Sequence, residues 1–589
     1  MLSRRSAFLP AKAEGGRQKA AKSPKPLLSA FRLLLSAFCL LLSALSVAAE
    51  APGGEAGPRP ALWVDNDTAS IPEPARKFDT LHYDFFYATF GQAPRSFVGR
   101  LGAKQPAWNV NAWEEVPDST WYTNRHHLHP MTAEQVARGA NQHSGPDLSG
   151  RLAVLEGKTA GTSLGFGRTR DSAGNVYFIK FDSAEYPELT TASEVIAARF
   201  FHALGFHVPQ EWIIYVRPEQ IEIDPKATIW DKNGRQRQMT RADVEEVLKG
   251  SARAPDGRYR AVASLLLPGR VKGGFRFHGT SRDDPNDLIP HQNRRELRGL
   301  RLLSAWLNHY DIRPGNTMDT YVEQDGRKFL RHYLLDFGSA LGSASFFPKT
   351  ARMGFSYVWD TREMGKPFLT LGIYQPRWRE HPAGVKFPSV GRFESEMFTP
   401  HLWKPVLPLV AFDYMDNADA FWAAKLVMSF TEEQVRAAVR EGQLSDRQAE
   451  EYLVRTLLER QRKVGWYGFS VSSPLDGFRL GKTVGGEQVL LFDDLALKHG
   501  FAAPAGTYYV HTFSRLGEAG YLGRPRSFRG NSIPLDELMK WAGPAADAKA
   551  VFTLAIAARR AEPEFEERWV KVYLGREAGG FRLMGWERD

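Results

Sequence analysis

At 589 residues the chain exceeds what one hydrophobic core holds, and at about 150 residues per unit it implies three or four units. A hydrophobic fraction of 43% and a charged fraction of 24% exclude disorder as the global state. The formal charge of +10 is localised: Arg4, Arg5, Lys12, Arg17, Lys19, Lys22, Lys25 and Arg32 against Glu14 give the first 49 residues +7, and the +3 left removes the support for nucleic-acid binding.

In chain order, residues 1–49 read as a secretory signal peptide. A basic region leads into an apolar run from Leu33 to Val47, and Ser46-Val47-Ala48-Ala49 offers small residues for cleavage. The run is shorter than the ~20 residues that span a bilayer. Export to a periplasmic, cell-envelope or secreted location is therefore expected, the alternative being an uncleaved membrane anchor, and no later segment is apolar enough to span. The single cysteine, Cys39, lies inside the apolar run without the small residue that precedes a lipidated cysteine, so the mature chain has neither disulfide nor thiol nucleophile.

Residues 50–150 form a linker and N-terminal extension. The linker, 50–72, is rich in Pro, Gly, Ala and acids, and the chain from Phe78 to Pro130 is aromatic and irregular. From Leu152 the texture becomes strand, glycine turn, strand, helix. Val176–Lys180 is a short β-type run, and Glu194–Leu204 has helical periodicity stopped by Gly205. Trp212–Val216 and Ala261–Leu267 read as strands around a polar insertion, and Arg294–Asn308 as a helix. Beyond residue 400 the chain is mostly helical, with capping boxes at Thr431/Gln434 and Ser445/Gln448. From about Ser470 it turns to β again, most clearly at Val551–Ala557, Trp569–Leu574 and Phe581–Trp586, which sets residues 466–589 apart as a small β-rich accessory domain.

The chemistry-bearing segment follows the long helix: His309-Tyr310-Asp311-Ile312-Arg313-Pro314-Gly315-Asn316, and twenty residues after Asn316, Asp336-Phe337-Gly338. These two motifs, in this order, resemble the catalytic loop H-R-D-L-x-x-x-N and the metal-binding D-F-G turn of the protein-kinase superfamily. The resemblance implies an α+β, two-lobed fold, with a β-rich lobe at 151–290 and a helical lobe at 291–465. It also implies Asp311 as catalytic base, Arg313 near the transferred phosphate, and Asn316 and Asp336 as ligands of Mg²⁺ or Mn²⁺ bridging the phosphates of ATP. Upstream, Lys180 matches the strand lysine that contacts the phosphates, and Glu194, at the expected start of a helix, the glutamate that holds it. The glycine-rich turn from Glu156 to Gly167 offers backbone N–H groups to phosphates, with Lys158, Gly161 and Gly165 as candidate nucleotide contacts, though it matches neither the kinase nor the Walker pattern.

Four departures mark the chain as similar to atypical kinases of the secretory-pathway, HipA-like or spore-coat CotH-like kind. The insertion after residue 216 is large; the gap between Asn316 and Asp336 leaves room for a hairpin around Glu323–Lys328; no A-P-E follows; and Tyr310 replaces the usual arginine. The expected activity is Mg²⁺-dependent phosphoryl transfer from ATP to a hydroxyl of a protein, glycan or small molecule. Transfer of AMP and a nucleotide-binding pseudokinase scaffold are the alternatives. His126, His127 and His129 read as a surface loop rather than a metal site, and Arg282–Asp287 as a turn before the helix.

Overall fold

The computed structural model describes residues 67–75, 78, 80, 83, 105–158, 163–231, 233–371, 373–380, 384–542 and 550–588. These all belong to one compact unit spanning 57–589. The expected leader at 1–49, the linker up to residue 66, and Gly161 lie outside the described residues. The fold is mixed α+β, built around a large mixed sheet.

Strands β1 (Leu152–Glu156), β2 (Gly165–Arg170) and β3 (Val176–Phe181) form an antiparallel meander. After β4 (Glu211–Val216), the polar insertion supplies β5 (Ile221–Trp230), β6 (Gln236–Gln238) and a short helix, Arg241–Gly250, before β7 (Tyr259–Leu265) returns. The sheet order is β4-β7-β3-β2-β1-β5-β6, with β5 parallel to β1, so the insertion widens the sheet instead of looping out of it. Val244 and Leu248 of its helix join Tyr177, Ile179 and Phe181 in one core. With side chains alternating along β3, burial of those three on one face leaves Lys180 directed to the other.

On that other face lies helix α1 (Leu189–Ala203), which starts ahead of Glu194 and places that residue inside the helix, not at its start. It is buried along nearly its whole length, as expected of a helix packed on all sides. Its orphan N–H groups at Thr190 and Thr191 are taken at 2.9 Å by the carboxylate of Asp182, from the connection after β3. It ends at Gly205, whose φ of 109° and contact with Tyr122 leave no space for a side chain: an added Cβ would lie 2.2 Å from the Tyr122 ring.

Next come β8 (Arg270–Gly273) and helix α2 (Arg295–Trp306). The hairpin expected around Glu323–Lys328 is β9 (Thr317–Gln324) with β10 (Arg327–Leu334), and β8 completes a three-stranded sheet. Helices α3 (Asn417–Met428), α4 (Glu432–Arg440) and α5 (Arg447–Val471) pack with α1 and α2 in a single apolar cluster. The Thr431/Gln434 capping box forms, whereas Asp446, not Ser445, caps α5 by accepting from Gln448 N at 2.7 Å. The helix α5 continues past the boundary expected at 465.

The remaining strands make two sheets, β11 (Leu475–Lys482) with β12 (Gln488–Asp494) and β15 (Ser532–Pro534), and a five-stranded sheet. The latter contains β13 (Tyr508–Arg515), β14 (Leu522–Phe528), β16 (Val551–Arg559), β17 (Trp569–Glu577) and β18 (Gly580–Arg588). They share their own core. This region is tied to the helices by charge. Lys425 of α3 bonds Asp476 at 2.8 Å and Glu115 of the N-terminal extension, all three less than 9% exposed. Arg588 bonds Glu114 and Ser473 O and lies over the Phe421 ring at 3.7 Å. Lys425→Met removes the ammonium from a buried cluster and is expected to lower stability by about 3–5 kcal/mol in urea unfolding. A loss below about 1 kcal/mol would mean that the cluster behaves as a solvated surface pair.

Candidate functional site

The site is assembled from three distant segments around one ammonium. Lys180 Nζ lies 3.0 and 3.1 Å from the Glu194 carboxylate oxygens and 3.0 Å from Asp336 Oδ1. Glu194 is fully buried, and its Oε1 also accepts the N–H of Phe337 at 3.0 Å, so one carboxylate holds both the strand lysine and the turn after Asp336. Ser193, next to it on α1, donates to Phe337 O and Ala340 O at 3.2 and 2.9 Å. These bonds hold Asp336 in a left-handed backbone conformation, φ 58°, that a non-glycine residue adopts at a cost of about 1–3 kcal/mol. Its side chain stays 45% exposed, open to a ligand.

Burial works against the Lys180 charge, but Asp336 and Glu194 more than reverse it and its pKa is raised. Burial likewise penalises the Asp336 carboxylate, and Lys180 outweighs it, so Asp336 lies below the ordinary range. With one ammonium between two carboxylates, burial leaves Glu194 above its usual value.

The loop after α2 closes on itself. Asn316 Nδ2 donates to Asp311 Oδ2 at 2.9 Å and to its backbone O at 2.7 Å, and Arg313 Nε donates to Asp311 Oδ1 at 2.9 Å. The five-residue spacing is thus the length of a turn that brings the amide back onto the carboxylate. It leaves Asn316 Oδ1 without a hydrogen bond among the described residues. Burial raises the Asp311 pKa, with Arg313 opposing and Asp336 adding to it, so the two aspartates feel each other's charge. Behind them Phe201 of α1, Phe337 and His309 form a triangular aromatic cluster with ring centroids 5.1–5.6 Å apart. His309 is fully buried, and burial, with Lys349 next, holds its pKa at about 3, so it packs as a neutral ring.

The glycine turn divides. Lys158 Nζ donates to Ser163 O at 2.7 Å and to the Ser163 hydroxyl. Burial first, then Lys180, lowers its pKa to about 8 against Asp336 and Glu194, which sets Lys158 in the same electrostatic cluster. Gly165 is required by sheet packing: a Cβ there would lie 2.1 Å from Ile179 O. Gly161 lies outside the described residues.

One reading needs revision. His126 is buried rather than on a surface loop, bonded to Ser429 O at 3.1 Å and accepting from Met131 N, while His127 faces Glu115. Among the described residues no group of three or more His, Cys, Asp or Glu is arranged to hold a metal. The turn at 282–287 carries a buried carboxylate, Asp287, bonded to Ser281 N and His291.

One residue had no sequence signal. Lys349, 2% exposed, donates from Nζ to Asn308 O, Ser339 O and Leu341 O at 2.8, 2.7 and 2.8 Å. It binds the start of the Asp311 loop to the segment after Asp336 with no carboxylate in contact among the described residues, and no motif spacing marks it.

No family model matches this chain, and no curated protein matches it. Among solved structures, the crystal structure of a Helicobacter pylori proinflammatory kinase, CtkA, matches with 11% sequence identity and a TM-score of 0.28, covering 56% of this chain and 100% of that one. At that TM-score the likeness carries no argument.

Lys349→Met removes three hydrogen bonds, while Asn308 O and Ser339 O keep the Tyr310 N–H and Leu341 O keeps the Asn308 amide. Stability is expected to fall by about 1–3 kcal/mol in urea unfolding, at about 0.5–1.5 kcal/mol for each lost bond. An unchanged midpoint would mean that water or a neighbour takes over the three bonds.

Proposed function

We propose that the chain is a two-lobed, kinase-like phosphotransferase that moves the γ-phosphate of ATP to a hydroxyl of an exported acceptor, with residues 151–290 as the β-rich lobe and 291–465 as the helical lobe. The observation that carries this reading is the single ammonium of Lys180 bonded to both Glu194 and Asp336, residues 14 and 156 positions away, beside the Asp311–Asn316 turn. A structural ion pair has no need of a second, half-exposed carboxylate held in a left-handed conformation.

In this reading Lys180 and Lys158 bind the nucleotide phosphates, and Glu194 keeps Lys180 in place. Asp336 and Asn316 hold Mg²⁺. Their donor set fits a hard cation: a carboxylate that is half open, and an amide whose N–H groups are both committed to Asp311 so that Oδ1 is left to coordinate. When bound, the metal neutralises charge on the transferring phosphoryl group. Asp311 orients the attacking hydroxyl and accepts its proton; its raised pKa, caused first by burial, makes it a stronger base than a free aspartate. Arg313, bonded to the other oxygen of that carboxylate, fixes which lone pair faces the acceptor and adds positive charge near the transferred group. The aromatic cluster of Phe201, Phe337 and His309 keeps α1, the turn and the loop in register. Among the described residues no helix is long and apolar enough to cross a membrane. Action outside the cytoplasm is part of the proposal and rests on the leader at 1–49.

Asp336→Ala and Asp311→Ala separate the roles. Asp336→Ala is expected to abolish Mg²⁺-dependent nucleotide binding in calorimetry. Asp311→Ala is expected to bind nucleotide as wild type does while turnover of labelled ATP falls about 10²–10⁴-fold. Equal loss of binding in both variants would overturn the assignment. Wild-type binding without turnover on an envelope extract would favour a scaffold, and labelled AMP on the acceptor would favour AMP transfer.

Lys158 gives a pH test. Because its folded pKa is lowered to about 8, it loses its proton as pH rises through that value, and nucleotide affinity is expected to decline above it. Lys158→Met should weaken binding at neutral pH and flatten the pH profile. A profile unchanged by the substitution would remove Lys158 from the phosphate site.

A further inference from the structure

Away from the Lys180 cluster, the sheet of β8, β9 and β10 borders a cavity of about 390 Å³. The strands β9 and β10 run from Asn316 and into Asp336, so the cavity lies along the hairpin that joins the two proposed metal ligands. Into it faces His332 of β10, 5% exposed. Its Nδ1 is bonded to Asp319 of β9 at 2.6 Å, and its ring is stacked on Trp121 at 3.5 Å between centroids, so its orientation is fixed on two sides. No hydrogen bond reaches its Nε2 among the described residues. Burial works against a charge on this ring, but Asp319, with Asp287 and Asp284 behind it, reverses that and raises its pKa.

Three cations, Lys272, Arg276 and Arg282, also line the wall. Lys272 is committed to Glu73 at 2.6 Å. Arg276 lies over the Phe78 ring at 4.9 Å, and neither it nor Arg282 makes an ion pair among the described residues. Asp283 also lines the cavity and makes no ion pair among the described residues, while Asp319 is turned onto His332. Two guanidiniums without an ion pair among the described residues and a fixed imidazole edge are the donor set that recognises a tetrahedral oxyanion, since the guanidinium fork matches paired oxygens. The volume exceeds that of one phosphate and falls in the range that holds a small-molecule body as well.

We propose that this cavity is a second binding site, for the phosphate group of a small phosphorylated ligand, with Arg276, Arg282 and Nε2 of His332 as its donors. It stands apart from the nucleotide site and does not depend on the phosphotransferase reading. The Arg282 turn, which the sequence presents as a plain connection, supplies one wall.

The test is calorimetric titration of the mature chain with inorganic pyrophosphate in the absence of divalent metal. Arg276 and Arg282 are exposed, so Arg276→Ala and Arg282→Ala are expected to fold as wild type. Each is expected to weaken binding roughly tenfold or more, the loss of a charge-assisted hydrogen bond. Lys158→Met and Lys180→Met, which strike the nucleotide site, should leave this binding intact. In spectra of ¹⁵N-histidine-labelled protein, one imidazole resonance, assigned to His332 by its loss in His332→Gln, is expected to shift on addition of pyrophosphate. Binding that survives both arginine substitutions, or a His332 resonance that does not move, would overturn the proposal. Binding lost only in the lysine variants would place pyrophosphate in the nucleotide site and overturn it equally.

Discussion

The arrangement of the site depends on burying Glu194. A carboxylate in the middle of an enclosed helix is tolerated only if its charge is met, and breaking such a pair costs about 3–5 kcal/mol. Lys180 meets it, and the alternation of β3 directs Lys180 to that face because Tyr177, Ile179 and Phe181 occupy the other. The ammonium has a further bond to give, and Asp336 takes it. Strand, helix and turn are therefore located relative to each other by one charge, and α1 is fixed at its N-terminal end by Asp182 and Arg260, which bonds Thr191.

Two buried lysines in this region solve the same problem differently. Lys180 is charge-compensated and its pKa is raised, whereas Lys349 meets only carbonyl dipoles and burial lowers its pKa well below the ordinary value. The first meets two carboxylates, one of them half exposed. The second is enclosed by the carbonyls of Asn308, Ser339 and Leu341.

Much of this was legible in the sequence where local chemistry sets the structure. Asp311 and Asn316 meet because the turn between them is short, and the apolar alternation of 176–181 gives both the strand and the side that Lys180 faces. The hairpin around Glu323–Lys328 was legible from the length of the gap between Asn316 and Asp336, and it turns at Asp325-Gly326, where both residues have positive φ. What escaped was set by contacts between distant segments. The start of α1 was misjudged because its cap comes from Asp182 on the preceding connection rather than from a side chain at the helix end. The insertion after β4 was legible only as a large polar segment, and the strand by which it pairs with β1 was not. Gly165 looked like a phosphate contact, and the backbone of β3 turns out to require it. Lys349 and the pairing of Asp319 with His332 carry no spacing rule at all.

The bond between Arg588 and Glu114 spans 474 positions. A ribosome adding about 5–20 residues per second needs roughly 25–95 s to make the chain that separates those partners. Through that interval the Glu114 carboxylate lacks Arg588, although Arg295 already bonds the Glu114 carbonyl, and the ring of Phe421, once made, lies uncovered by Arg588. The junction of extension, helices and terminal sheet is therefore a late event in the life of each molecule. The bond from the extension to the last strand forms only after the polypeptide between them has been completed, later than the Lys425 link between Glu115 and Asp476.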